Sequence, residues 1–306
     1  MEKRKAVYKS KVQNQTTKAR PGNTQIKVGR NRYMIERELD FARKHEEDLK
    51  RIRGFRLLDD DFMSKVFEDK GCTELLLQII LGRTDLKVTS VIGQYDIKNL
   101  QGRSVRLDIL AVDTENKVYN IEIQRSDKGT SVKRARYNSS LIDANVTEPG
   151  DNYENLNESY IIFITEKDKF GEGLPIYHIE KVIKELGRDL EDEQHTIYVN
   201  AQIQDESALG KLMEDFRCTE AKKMNYKVLA DRVRYFKEDE KGVTTMCRVL
   251  EEMRREAAAE ASKEQNIVTL LNSVKNLMKN LGITAEESMK AIGVTEEEKR
   301  ILLKRL

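Results

Sequence analysis

The stretch RLDILAVDTENKVYNIEIQRSD, residues 106–127, decides the fold. Two apolar runs flank the short polar segment Thr114–Asn116, a pattern that predicts a β-hairpin. Each arm nevertheless carries an acid at its centre, Asp108 on the first and Glu122 on the second. Aspartate is depleted in strands, and half-burying a carboxylate is costly. Side chains alternate along a strand, so Tyr119, Ile121 and Ile123 share one face while Val118, Asn120, Glu122 and Gln124 share the other. On the first arm Leu107, Ile109 and Ala111 oppose Arg106, Asp108 and Leu110. A turn over Thr114–Asn116 pairs Asp113 with Lys117 and sets Asp108 across from Glu122. Facing residues of this kind have Cβ atoms about 4.5–5.5 Å apart, where like charges repel. A cation between them would remove the conflict, and a hard divalent ion such as Mg²⁺ suits two carboxylates, water and a substrate phosphate. A slip of one residue would separate the acids, and either acid taken singly reads more readily as a solvated strand residue, so the case rests on the joint pattern.

Around the hairpin the pattern is regular. Residues 34–49 have helical spacing at Ile35, Leu39, Ala42 and Leu49. Phe62, Val66 and Phe67 fit one helical face, and the apolar run from Leu75 to Leu81 predicts a helix ended by Gly82. Residues 86–99 read as a strand, 131–146 as a helix, and ESYIIFIT (158–165) as a short strand buried on both faces. The order helix, three strands, helix, strand makes an α/β core that ends near residue 200. From about residue 206 the chain is rich in Lys, Glu and Ala at helical spacing. The segment RREAAAEASKEQN (254–266) has no large apolar residue and predicts an exposed stretch of helix. Thr284 with Glu287, and Thr295 with Glu298, have capping-box spacing, with Gly282 and Gly293 placed to end the preceding helices.

Composition narrows the functional classes. The 306 residues are 39% hydrophobic and 35% charged, with a net charge of +2. That balance hides ten Lys/Arg against the single acid Glu2 within residues 1–32, which reads as a flexible basic arm, either a solubilising tail or a nucleic-acid contact. The arm has no long apolar run, so neither a signal peptide nor a membrane span is expected there. Cys72, Cys218 and Cys247 are scattered, which supports neither a disulfide framework nor a zinc knuckle and fits a reducing cytoplasm. No phosphate-cradling GxxxxGKS loop and no GxGxxG is present. Lys133, Arg134 and Arg136 lie near Tyr137 on one helix, as phosphate contacts or as a solvated basic face.

The combination RLDILA…YNIEIQR, the RARYNSSLID helix and the YIIFIT strand resembles the PD-(D/E)XK nuclease superfamily over about residues 57–200. Within it, the pattern is most similar to the Rpn-like recombination-promoting nucleases, also described as transposases. The resemblance implies a restriction-endonuclease-like αβββαβ core, with Asp108 and Glu122 as metal-binding acids and the Ile123 carbonyl completing the metal shell. Gln124 stands where the superfamily has lysine, and Leu107 replaces the proline of the family's name. Glu74, with Glu68 behind it, is the helical acid that would join the cluster. Arg136 and Tyr137 gain a nucleic-acid role from the same resemblance. The implied activity is Mg²⁺-dependent (or Mn²⁺-dependent) hydrolysis of DNA phosphodiester bonds; the same chemistry would serve RNA. The alternative is a catalytically degenerate nuclease fold that binds nucleic acid or protein. The expected organisation is a basic arm (1–34), a nuclease-like domain (35–205) and a helical C-terminal region (206–306), whose helices offer a surface for a homo-oligomer.

Overall fold

The computed structural model describes residues 39–40, 42–99, 104–125, 131–148 and 150–306. The basic arm expected over residues 1–34 lies outside them. Residues 1–51 and 52–306 form two units, and the described part of the first, residues 39–40 and 42–51, is helical.

The second unit opens with helices α1 (Asp60–Phe67) and α2 (Lys70–Leu81). Asp69 caps α2 by accepting the Cys72 amide at 3.1 Å, and Gly82 ends the helix at φ +65°, where a side chain would be strained. The strands β1 (Val88–Ile97), β2 (Val105–Asp113) and β3 (Val118–Gln124) follow, then helix α3 (Val132–Val146) and strand β4 (Ser159–Thr165). This is the expected αβββαβ order. Strands β5 (Ile176–Ile179) and β8 (Gln194–Asn200) extend it into a six-stranded sheet, β1-β2-β3-β4-β8-β5, among the described residues. Two short strands, β6 (Val182–Ile183) and β7 (Arg188–Asp189), pair apart from it. The β1-β2-β3 meander is antiparallel, β3-β4-β8 run parallel, and β5 returns antiparallel along the edge.

Asp113 builds the hairpin turn. Its carboxylate accepts the amides of Glu115 (2.8 Å) and Lys117 (2.9 Å) and the Tyr119 hydroxyl (2.7 Å), while Asn116 takes φ +61°, a conformation asparagine tolerates. The resulting register pairs Val112 with Val118 and Ile109 with Ile121.

One face of the sheet, with Ile109, Tyr119, Ile121 and Ile164, is covered by α1, α2 and the helices that follow the sheet, α4 (Ala208–Arg217), α5 (Lys227–Glu238) and the start of α6 (Glu240–Leu281). Phe67 stacks on Phe216 (5.6 Å) and Phe62 meets Phe236 edge-on (6.2 Å), so the main core runs across the compositional change near residue 206. On the other face α3 packs Ala135, Leu141 and Ile142 against Phe163 and Tyr198. Leu107 belongs to this smaller cluster, with Ile97, rather than with Ile109 and Ala111 as alternation suggested. Helix α6 continues unbroken for 42 residues, and residues 254–266 in it are exposed throughout, a span of roughly 20 Å. Beyond them Ile267 and Val274 form a small cluster with Met289 and Leu302 of helices α7 (Ala285–Ile292) and α8 (Glu296–Leu303). Both capping boxes are present, at Thr284 with Glu287 and at Thr295 with Glu298. No helix among the described residues is long and apolar enough to cross a membrane.

Candidate metal and nucleic-acid site

The hairpin register, continued one pair beyond Ile109 and Ile121, sets Asp108 across from Glu122, as the turn arithmetic predicts. At that point the Asp108 carboxylate accepts the Ile123 amide at 3.0 Å. On the neighbouring side β3 is held by its parallel partner, with Glu122 beside Phe163 and the Glu166 amide donating to the Gln124 carbonyl at 3.0 Å. The two acids therefore sit where β2 and β3 end their ladder while β3 stays fixed by β4.

Glu122 is fully buried. Its carboxylate accepts from Asn120 Nδ2 at 2.9 Å and from Asn138 Nδ2 at the long distance of 3.5 Å, and forms a close ion pair with the Arg134 guanidinium. Asn138 Nδ2 also donates to Asn120 Oδ1 at 3.2 Å, which closes a small polar network between β3 and α3. Burial pushes the Glu122 carboxyl above its ordinary range, against the opposing pull of Arg134 and Asn120. Asp108 is raised well above the usual carboxylate value, first by burial and then by repulsion from Glu122, with the Ile123 amide and Arg134 opposing the shift. One guanidinium thus leaves the two acids short of positive charge.

A third acid acts on them that the sequence reading overlooked. Asp60, at the first turn of α1, is close enough that its charge raises both Asp108 and Glu122, and burial raises its own carboxyl to about 6. The visible signal was the run Asp59-Asp60-Asp61 before an apolar helix, which reads first as a helix start. Asp59 does the structural work in that run, accepting the Arg56 amide (2.7 Å) and pairing with Arg125 (2.7 Å).

Glu74 is elsewhere. It accepts from Lys87 (2.8 Å) and from the Val88 amide (3.1 Å), and Val88 pairs with Asp113, five residues along β2 from Asp108. Five strand residues span about 16 Å, so Glu74 serves the start of β1 and not the acid pair. Glu68 pairs with Lys65 and packs against Gly93, where an added Cβ would come within 2.8 Å of its side chain. Among the described residues, no three His, Cys, Asp or Glu side chains converge closely enough to hold a metal ion by themselves.

The donor set still suits a hard divalent cation. It comprises two under-neutralised carboxylates, Glu122 buried and Asp108 half-buried, and the Ile123 peptide, with Asn138 Oδ1 buried and unpartnered among the described residues. A bound ion would use Asp108, Glu122 and the Ile123 carbonyl, with the remaining positions left to water and substrate. The Gln124 side chain, partly exposed at the end of β3, has no hydrogen-bond partner among the described residues.

Beside the acids lies a cleft of about 780 Å³ between β2 and α3. Lys133, Arg134, Arg136 and Tyr137 all line it, as do Arg106 and Ser131. Lys133 and Arg136 are exposed, whereas Tyr137 accepts a hydrogen bond from Asn99 (3.1 Å) and Arg106 pairs with Asp96 (2.9 Å). Arg134 departs from the expected role as a simple phosphate contact. The first turn of α3 lies over the acid-bearing face of β3, so its guanidinium reaches Glu122 and sits 5.9 Å from the Phe163 ring centroid. Asn120 and Asn138 were missed, although their spacing put them in view: Asn120 is two residues from Glu122 on a strand, and Asn138 is four from Arg134 on a helix.

Residues 68–207 match the family model for the PD-(D/E)XK nuclease family transposase. No curated protein and no solved structure matches the chain. The matched segment carries the hairpin, the Glu122 network and the α3–β4 crossover, so over these residues the chain is similar to the PD-(D/E)XK nuclease family transposases.

Proposed function

We propose that the protein is a metal-dependent endonuclease that hydrolyses DNA phosphodiester bonds, in the manner of the Rpn-like recombination-promoting nucleases, in the cytoplasm. The observation that carries the reading is the facing Asp108–Glu122 pair beside a basic cleft, both carboxyls raised first by burial and Asp108 also by repulsion from Glu122. Facing acids, one fully buried and one half-buried, that share a single guanidinium cost stability, and such a cost is a mark of functional sites. When bound, Mg²⁺ or Mn²⁺ would polarise the phosphoryl oxygen and lower the pKa of a water. The chain's own residues do the rest. The Ile123 amide fixes the rotamer of Asp108, and Asn120 with Asn138 orients Glu122. Gln124, free of other partners among the described residues, orients the attacking water by hydrogen bonding in place of the usual lysine. Lys133 and Arg136 take backbone phosphates, which give affinity without sequence choice.

One observation favours a second reading, a degenerate site that only binds. Gln124 brings a dipole where the superfamily has a charge. A nicking assay on supercoiled plasmid, with and without Mg²⁺, separates the two. Under the nuclease reading wild type nicks only with Mg²⁺, Asp108→Asn is inactive, and Gln124→Ala is slower by on the order of 10²-fold with metal affinity nearly unchanged. Equal nicking by wild type and Asp108→Asn would remove the assignment of the acids, and absence of Mg²⁺-dependent nicking in wild type would favour the binding module.

A further inference from the structure

Arg134 is placed differently from the other cations of the cleft. Its side chain is about one-third exposed (34%), with one side towards the cleft and the other paired with Glu122, whose side chain has no exposure. Lys133 and Arg136, on the same helix, remain exposed. Glu122 does not depend on Arg134 for its orientation, because Asn120 and Asn138 hold the carboxylate from within the core. The guanidinium rests near the face of Phe163, a flat apolar surface over which an arginine can turn at little cost. A monovalent guanidinium and a divalent ion would compete for the same carboxylate, and only one of them leaves the acid pair fully neutralised.

Resting on the metal-dependent reading above, we infer that Arg134 is an exchangeable latch. In the metal-free protein it occupies the cation's place at Glu122; when a divalent ion takes that carboxylate, the released guanidinium turns into the cleft and binds a backbone phosphate. The exchange couples the two ligands. Metal binding creates a phosphate contact, and by reciprocity a bound phosphate that holds Arg134 in the cleft strengthens metal binding. The device would keep a buried acid paired while the site is empty and would reserve one arginine for DNA until the ion is in place.

The test uses the full-length protein with Ca²⁺ as the divalent probe and a short DNA duplex. Calorimetry measures Ca²⁺ affinity without DNA, and titrations measure DNA affinity with and without Ca²⁺, for wild type and Arg134→Gln. Loss of the competing cation should tighten Ca²⁺ binding by on the order of tenfold. The gain in DNA affinity produced by Ca²⁺ should shrink by a similar factor in the variant. In wild type, the Arg134 Nε–Hε NMR signal, assigned by its loss in Arg134→Lys, should be protected without Ca²⁺ and should move and lose protection with it. That readout needs no folded neutral variant. A signal unchanged at saturating Ca²⁺, or an identical Ca²⁺–DNA coupling in wild type and Arg134→Gln, overturns the latch while leaving the metal site standing. Failure of both proteins to bind Ca²⁺ at all overturns the metal-dependent reading and the latch with it.

Discussion

Glu287 and Glu298 in the small C-terminal helices and Glu122 in the hairpin are all well hydrogen-bonded glutamates, yet their surroundings act in opposite directions. Glu287 accepts the Thr284 amide at 2.8 Å and its hydroxyl at 2.7 Å, and Glu298 does the same with Thr295. Glu287 is exposed and Glu298 half-buried, and the donated amides hold both carboxyls below the ordinary value. Glu122 also accepts several donors, but burial outweighs them and the carboxyl is raised. The capping acids complete a helix end and leave nothing unsatisfied. The hairpin acids are left with charge that the fold itself does not neutralise. Hydrogen-bond number does not separate the two kinds of acid here; the balance between burial and available positive charge does.

The contrast can be broken most severely at Asn138. If the Asn120–Asn138 network orients Glu122 for a metal, Asn138→Ala should weaken Ca²⁺ or Mg²⁺ binding by about 10–100-fold, the range for lost supporting contacts, as read by calorimetry. Unchanged affinity would mean that Glu122 is held by its strand alone.

A second test follows from pH. Asp60, Asp108 and Glu122 are raised in the folded protein, so each favours folding while protonated, and that contribution is lost as pH rises from the unfolded values through the raised folded ones. For Asp60 the window runs from its ordinary value of 3.8 to about 6. Asp108→Asn removes one of these charges. Its thermal stability without metal should match wild type below the ordinary aspartate value of 3.8 and exceed it increasingly as pH rises above that value. A difference independent of pH would show that the acids are solvated and their repulsion negligible. Glu287 and Glu298 carry the reverse sign, since their lowered carboxyls support folding above the unfolded values and lose that support on acidification.

The smallest effect is expected in the C-terminal helices. Thr284→Ala should cost about 1 kcal/mol of local stability, seen as faster hydrogen exchange in α7. Plasmid nicking should be unaffected, because α7 and α8 share their own small cluster with the end of α6. A loss of nicking in this variant would join the two regions that the comparison sets apart.

Much of this molecule was legible because its signals are local. The Asp113 turn over Thr114–Asn116 determines which residues of β2 and β3 face each other, and side-chain alternation then brings Asp108 to Glu122. The apolar run ending at Gly82, the continuous apolar stretch of β4 and the two Thr–Glu capping boxes are likewise contained within a few residues of chain. The tertiary structure decided whatever depends on how distant elements meet. Helix α2 runs beside the start of β1, which carries Glu74 to Lys87 and away from the acids. Helix α3 crosses the acid-bearing face of β3, which converts Arg134 from one basic residue among several into the partner of Glu122. Asp60 reaches the site because α1 lies against the hairpin, a placement set by the packing of Phe62 and Phe67 on helices some 150 residues later in the chain. Spacing along one strand or helix can be read from sequence because backbone geometry repeats; the meeting of two elements is settled by packing, and the charge balance of a buried site follows from it.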